Sequence, residues 1–172
     1  TGGAGYIGCH VVEELIKSNY QVTVIDRLSF DANSLKEIKH DKNLTIIKED
    51  LRNLNNLQSY LDGAETIIHL AALVGEAACK ISETDSISTN YDTTMKLCDL
   101  ARKSKVKKFI FMSTASSYGV QDTNEIANEK TKLNPVSLYA KTKIDCENDL
   151  LKKFVDDIEI TIFRPSTVYG HS

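Results

Sequence analysis

Tyr139 and Lys143 stand four residues apart in the segment Tyr139-Ala-Lys-Thr-Lys143. On a helix that spacing puts the phenol and the ammonium on one face. An ammonium there can lower the phenol's pKa, so that the tyrosine gives or takes a proton near neutral pH. At the other end, the chain opens with Thr1-Gly-Gly-Ala-Gly-Tyr-Ile-Gly8. Gly2, Gly5 and Gly8 recur at every third position. Glycines so placed allow a tight turn, let main chain approach a pyrophosphate, and let a helix pack close to a strand. A helix starting near Tyr6 would direct its first N–H groups at the anion. Between the two motifs lies Ser113-Thr-Ala-Ser-Ser-Tyr-Gly119, whose hydroxyls could hold a substrate oxygen beside Tyr139. Each motif has a plain alternative: an amphipathic helix face, a simple glycine turn, a turn with local Ser/Thr hydrogen bonds. Together, in this order, they point to a nicotinamide-dependent enzyme.

Further residues fall where such an enzyme needs them. Asp26 ends the strand after the glycine turn. A carboxylate there accepts from ribose hydroxyls and repels a 2′-phosphate, which favours NAD over NADP. Arg27, next to it, could instead welcome a 2′-phosphate. Asp50-Leu51-Arg52 and His69-Leu-Ala-Ala72 each follow a strand, and Ala71 and Ala72 would let the chain pass close to a flat ligand. Asp50 could equally cap a helix, and the alanines could simply pack. His69 reads as a histidine satisfied within the fold, not as a ligand.

The elements that must position these groups alternate. Strands are expected at 21–26, 44–48, 66–70, 108–112 and 159–163, all short, β-branched and nearly continuous in apolar character, as in parallel strands covered on both faces. Helices are expected at 6–18, 53–61, roughly 88–104, and 138–155, with a polar surface loop over 121–135. The pattern predicts an α/β fold: a Rossmann-type, doubly wound parallel sheet. A strand should precede the glycine turn in such a fold, and the sequence begins at the turn. The expectation is therefore one dinucleotide-binding domain over residues 1–172, with its first strand and a C-terminal substrate domain outside these residues.

Composition narrows the partners. The 172 residues carry a net charge of -3 and a pI near 5.8, which argues against a nucleic-acid or anionic-membrane partner. No apolar run approaches a membrane span. Cys9, Cys79, Cys98 and Cys146 are widely spaced and the histidines are scattered, so neither a metal site nor a disulfide framework is expected. Free thiols suit a reducing cytoplasm.

These motifs resemble the extended short-chain dehydrogenase/reductase family, in particular its nucleotide-sugar epimerases and dehydratases. The resemblance runs nearly end to end. It covers Thr1 to Gly8, the acidic Asp26, Asp50-Leu51-Arg52, His69 to Ala72, and Asn90-Tyr-Asp-Thr-Thr94 where members have N-x-x-G-T. It continues through the serine-rich segment closing in Tyr118-Gly119, Tyr139 to Lys143, and Arg164 to Gly170. The resemblance implies Tyr139 as acid/base, Lys143 as its partner and a ribose ligand, and Thr114 as the hydroxyl beside them. It places Tyr6 and Ile7 on the pyrophosphate, Asp50 and Leu51 at the adenine pocket, and Leu70, Ala71 and Asn90 along the cofactor groove, with the segment after Pro165 against the nicotinamide. It implies NAD as cofactor, a nucleotide-sugar as substrate, and a homodimer built on the mid-chain and Tyr139 helices. Related 4,6-dehydratases carry Asp-Glu directly after the threonine, and related decarboxylases commonly keep a Glu at the second of these places. Ala115 and Ser116 stand there instead. Thr167 replaces a common Asn.

The expected function is therefore an NAD-dependent nucleotide-sugar epimerase working by transient hydride transfer. A 4-keto reductase or dehydrogenase, a 4,6-dehydratase, and a non-catalytic dinucleotide-sensing module remain as alternatives.

Overall fold

A computed structural model describes residues 1–29, 32–120 and 126–170. The chain alternates helix and strand from the start. Helix α1 (Tyr6–Lys17) buries Gly8, Cys9, Val12 and Ile16, a stripe at helical spacing. It closes at Asn19, whose φ of 61° is one that Asn tolerates better than most residues. Then come β1 (Val22–Asp26), β2 (Leu44–Lys48), α2 (Leu57–Leu61), β3 (Thr66–His69), α3 (Glu76–Ile81), α4 (Glu83–Ile87), α5 (Thr93–Lys103), β4 (Lys108–Met112), α6 (Leu138–Lys153) and β5 (Glu159–Phe163).

All strand pairing is parallel. β1 pairs with β2 in one sheet, and β3–β4–β5 form a second. Thr1 and Gly2 lie between the two. Gly2 N donates to Ile25 O at 3.0 Å, the Thr1 amino group donates to Ile68 O at 2.7 Å, and Leu70 N donates to Thr1 O at 3.1 Å. The lateral order is thus β2, β1, Thr1–Gly2, β3, β4, β5, the Rossmann arrangement. The order reverses at Thr1–Gly2, where such sheets form their ligand crevice.

Two apolar clusters lie on opposite faces. Val24 packs with Val12, Ile16 and Leu35. Its neighbour Ile25 packs with Ile67, Leu97, Phe109 and Leu150. Successive strand residues point to opposite faces, so β1 is covered on both sides, as expected of a doubly wound sheet.

Some details differ from the sequence expectation. The predicted helix over 53–61 is a 3₁₀ segment, Leu51–Asn56, followed by α2. Asp50 starts that tight turn, taking Arg52 N on its carboxylate at 2.9 Å and Asn53 N on its carbonyl at 2.8 Å. The helix predicted from 88 begins with a π turn, Ser88–Asp92, before α5. Helices α3 and α4 were not foreseen. Ser82 caps α4 by accepting from Asp85 N at 3.1 Å, and Ser82-Glu-Thr-Asp85 carries a capping signature in the sequence. Of the predicted loop over 121–135, residues 121–125 lie outside the described residues, and 126–135 hold no helix or strand. No helix among the described residues is long and apolar enough to cross a membrane.

Candidate active site

A cleft of about 1180 Å³ runs along the carboxyl ends of the strands. One end is built by the glycine turn. Gly2 has φ 71°, and a Cβ on it would lie 2.5 Å from Ala71 N. A Cβ on Gly8 would fall 2.1 Å from Gly2 O. Only glycine lets the turn, the start of α1 and the 70–71 segment approach so closely. Gly5 caps α1 without any side-chain hydrogen bond, and Gly5, Tyr6, Ile7 and Gly8 line the cleft. The first N–H groups of α1 therefore open onto it, a setting that fits a pyrophosphate.

Asp26 lines the cleft beside this turn. Its carboxylate accepts from Ala4 N at 3.1 Å and from Leu28 N at 2.8 Å. Each oxygen keeps a second lone pair for a ligand hydroxyl. Asp50, Leu51 and Arg52 form the neighbouring wall. Arg52 holds Asp50 through Nη2 at 2.7 Å and reaches Asp85 at 2.8 Å, while Arg27 lies 3.7 Å from Asp50. The Arg52 guanidinium holds the Asp50 carboxyl below its ordinary value.

The opposite wall is the chain from Leu70 to Gly75, with Leu70, Ala71 and Ala72 on the cleft. Asn90 was expected to line the groove; it stands behind this wall, 1% exposed. Its side-chain amide accepts from Leu73 N at 2.8 Å and donates to Leu73 O at 3.0 Å. Asn90 thus clamps main chain that has no strand neighbour at that point. His69 is fully buried. Its Nδ1 meets the Thr1 hydroxyl at 2.7 Å and its Nε2 the Thr94 hydroxyl at 2.9 Å. Because Thr94 spends its own proton on Asn90 O at 2.6 Å, Nε2 carries the imidazole hydrogen. Burial, assisted by the Lys143 charge, holds His69 well below its usual pKa.

The far end of the cleft gathers Ser113, Thr114, Tyr139, Lys143 and Pro165. Helix α6 brings the tyrosine and the lysine, and Ser137 caps it by accepting from Ala140 N at 3.2 Å. Thr114 caps the 3₁₀ turn Ala115–Tyr118, accepting from Ser116 N at 3.1 Å, and its hydroxyl, on the cleft with the Tyr139 phenol, acts to lower the phenol's pKa. Lys143 Nζ, buried, donates to Met112 O at 2.8 Å.

The electrostatics correct one expectation. Lys143 was expected to depress the Tyr139 pKa. Burial instead pushes Tyr139 up, with a nearby Cys79 adding to the rise and the Thr114 hydroxyl opposing it. Lys143 stands 6.0 Å from the Tyr139 ring centre, and burial pulls its own pKa down to about 8.

Several contributors were not foreseen. Glu147 lies one further turn along the same face of α6 and is 2% exposed. It accepts from the Ser113 hydroxyl and pairs with Arg164, whose Nε is 3.0 Å from both carboxylate oxygens. The four-residue rhythm Tyr139, Lys143, Glu147 was visible in the sequence and could have flagged it. The segment after β5 forms the last wall. Pro165 O accepts from Ala115 N at 2.9 Å, and the Tyr6 hydroxyl donates to Gly170 O at 2.9 Å.

The profile of the NAD dependent epimerase/dehydratase family matches residues 1–172. A UDP-glucose 4-epimerase from Bacillus subtilis is 34% identical over 168 residues, covering 94% of this chain and 49% of the relative. A UDP-N-acetyl-alpha-D-glucosaminuronate decarboxylase from Bacillus cytotoxicus is 30% identical over 176 residues, covering 99% of this chain and 54% of the relative. Among solved structures, a UDP-glucuronic acid 4-epimerase from Bacillus cereus, in complex with UDP-glucuronic acid and NAD, superposes with a TM-score of 0.90 at 29% identity. That match covers 98% of this chain and 56% of the other. The chain spans about half the length of the curated relatives it matches.

Proposed function

The chain belongs to the NAD-dependent epimerase/dehydratase family, whose cofactor is NAD, and from that premise we propose that it supplies the NAD-binding and acid–base residues of a nucleotide-sugar epimerase. One observation carries the reading. A single cleft holds the uncapped start of α1 and Asp26 at one end, and Thr114, Tyr139 and Lys143 at the other. In this reading residues 1–172 form the dinucleotide domain of a longer enzyme.

The first turn of α1 would hold the pyrophosphate, and the remaining lone pairs of Asp26 the adenosine ribose. Leu51, Ala71 and Ala72 would cover the flat groups, and Lys143 would reach the nicotinamide ribose. Bound NAD supplies the acceptor, and then the donor, of a hydride. Tyr139 Oη would take the proton of a sugar hydroxyl as that carbon becomes a ketone, and would return it as the alcohol re-forms. Thr114, on the same stretch of the cleft as the phenol, would share the reacting oxygen. Proton handling of this kind is worth about 10²–10⁴ in rate.

Epimerisation is favoured over 4,6-dehydration by the residues after Thr114. Ala115 and Ser116 line the cleft there, and neither can serve as the acid or base that removal of water needs. A homodimer is proposed on the same footing. Leu151, in the last turn of α6, and Val155, just past its end, are half-exposed and offer apolar surface for it. The four buried free thiols suit the proposed cytoplasmic setting.

The test uses the full-length protein with NAD and, in turn, UDP-glucose and UDP-N-acetylglucosamine. Chromatography should show the 4-epimer of one of them without lasting NADH. Sustained NADH change would instead favour the reductase or dehydrogenase, and a 4-keto-6-deoxy product the dehydratase.

A further inference from the structure

The end of β4 meets α6 in three successive contacts. Met112 O takes the Lys143 ammonium at 2.8 Å, the Ser113 hydroxyl donates to Glu147, and the Thr114 hydroxyl shares the cleft with the Tyr139 phenol and favours its ionised form. Three neighbours on a strand end thus engage three residues on one helix face. The Glu147 contact continues outward. Arg164 pairs with Glu147, and its Nη1 donates to the Tyr118 hydroxyl at 3.3 Å, with the guanidinium 5.4 Å from the centre of the Tyr118 ring. Tyr118 ends the short turn that Thr114 caps. The result is a closed circuit: Thr114, Tyr118, Arg164, Glu147, Ser113 and back to Thr114.

Stability alone is a poor reason for this circuit. Burying a carboxylate and a guanidinium gives no more than a well-packed apolar pair of the same volume. A fork-shaped pair does give direction, because two parallel bonds fix distance and angle together. We propose that Glu147 and Arg164 are positioning residues that hold α6 in register with the end of β4, so that the Tyr139 phenol stands against the Thr114 hydroxyl. Through Pro165 O on Ala115 N, they tie the cleft wall after β5 to the same register. The proposal rests on the acid/base reading of Tyr139.

The experiment titrates Tyr139 in the NAD-loaded, full-length protein by its near-ultraviolet phenolate band, with Tyr139→Phe as the blank. Arg164→Lys keeps the charge and removes the fork. Ser113→Ala keeps both charges and loosens Glu147. With the register relaxed, the Thr114 hydroxyl draws away from the phenol and its lowering influence fades, and the Tyr139 pKa should rise by about half a unit or more in each variant. A part that served folding alone would lower the melting temperature and leave this titration where it was. Circular dichroism establishes that each variant is folded; should Arg164→Lys fail to fold, Ser113→Ala makes the comparison. A wild-type Tyr139 titrating below 10.0 with no shift in a folded variant overturns the positioning role alone. A wild-type Tyr139 titrating at or above 10.0 removes the acid/base reading, and the positioning role goes with it.

Discussion

Lys143 Nζ donates to Met112 O at 2.8 Å and stands 6.0 Å from the centre of the Tyr139 ring. The ammonium is fixed to main chain at the end of β4 and faces the phenol across more than a hydrogen-bond length. Burial weakens the charged form of both groups. Any lowering of the Tyr139 pKa in the working enzyme must then come from the Thr114 hydroxyl and from positive charge that NAD brings beside it.

Tyr139→Phe in the full-length enzyme should lower kcat by about 10²–10⁴ and leave the NAD dissociation constant nearly unchanged. Phe keeps the ring and loses only the ionisable oxygen. Lys143→Ala should weaken NAD binding and turnover together. Steady-state kinetics and calorimetric titration separate the two patterns. Near-normal turnover of Tyr139→Phe would remove the acid/base assignment.

Lys143→Met should make the inactive protein more stable at neutral pH. The folded-state pKa of Lys143 is about 8 against an ordinary 10.5. Below pH 8 the lysine is charged in both states, and the native state bears the full cost of burying it. That cost is relieved as pH rises from about 8 toward 10.5. Removing the charge should gain about 3 kcal/mol, less about 1 kcal/mol for the bond lost at Met112 O. Urea midpoints at neutral pH and near pH 10 check this; the gain should shrink at the higher pH.

His69 should make stability fall in mild acid. Its folded pKa lies well below the ordinary 6.5, so between those values the unfolded state binds a proton that the native state does not. The stabilisation is complete above about pH 6.5 and is lost on acidification at up to about 1.4 kcal/mol per pH unit. Urea unfolding at about pH 7.5 and pH 5.5 should show a larger loss for wild type than for His69→Gln, by about 1 kcal/mol. Equal losses would mean that His69 takes up its proton without unfolding.

Asp26→Asn should weaken NAD binding about tenfold and narrow the preference over NADP. The amide has one acceptor oxygen where the carboxylate serves Ala4 N and Leu28 N together, and a stranded N–H costs about 1–3 kcal/mol. Calorimetry with both cofactors is the measurement. Wild-type protein that bound NADP as tightly as NAD would transfer the weight to Arg27.

The strands were legible because each is a short, largely apolar run, and all five lie within a residue of their expected bounds. The glycine turn was legible in company: its spacing alone fits a simple turn, and Asp26 and the Tyr139–Lys143 pair, in the right order, gave it meaning. Helices α3 and α4 were not, since neither is long enough to show a periodic face. The clamp by Asn90 could not be read, because its partner is the main chain of Leu73, and a sequence does not say which backbone groups lack a ladder. The direction of the Tyr139 shift was missed for a related reason. Helical spacing reports that Lys143 is near, whereas burial, which is larger here, depends on what α6 packs against. Arg164 was noticed as part of a motif, but its pairing with Glu147 joins residues from two elements, and only the folded chain brings them together.

The Asn90 clamp grips peptide atoms and ignores the side chain at 73. That separates the shape of the 70–75 wall from its chemistry. A designer could exchange Leu73 for other residue types, or graft the corresponding stretch from a relative, and the anchor would still hold the transplanted main chain at the same depth. The identities of Leu73 and Val74 thus become adjustable dials on the cleft, while Asn90 is the fixture on which they are mounted.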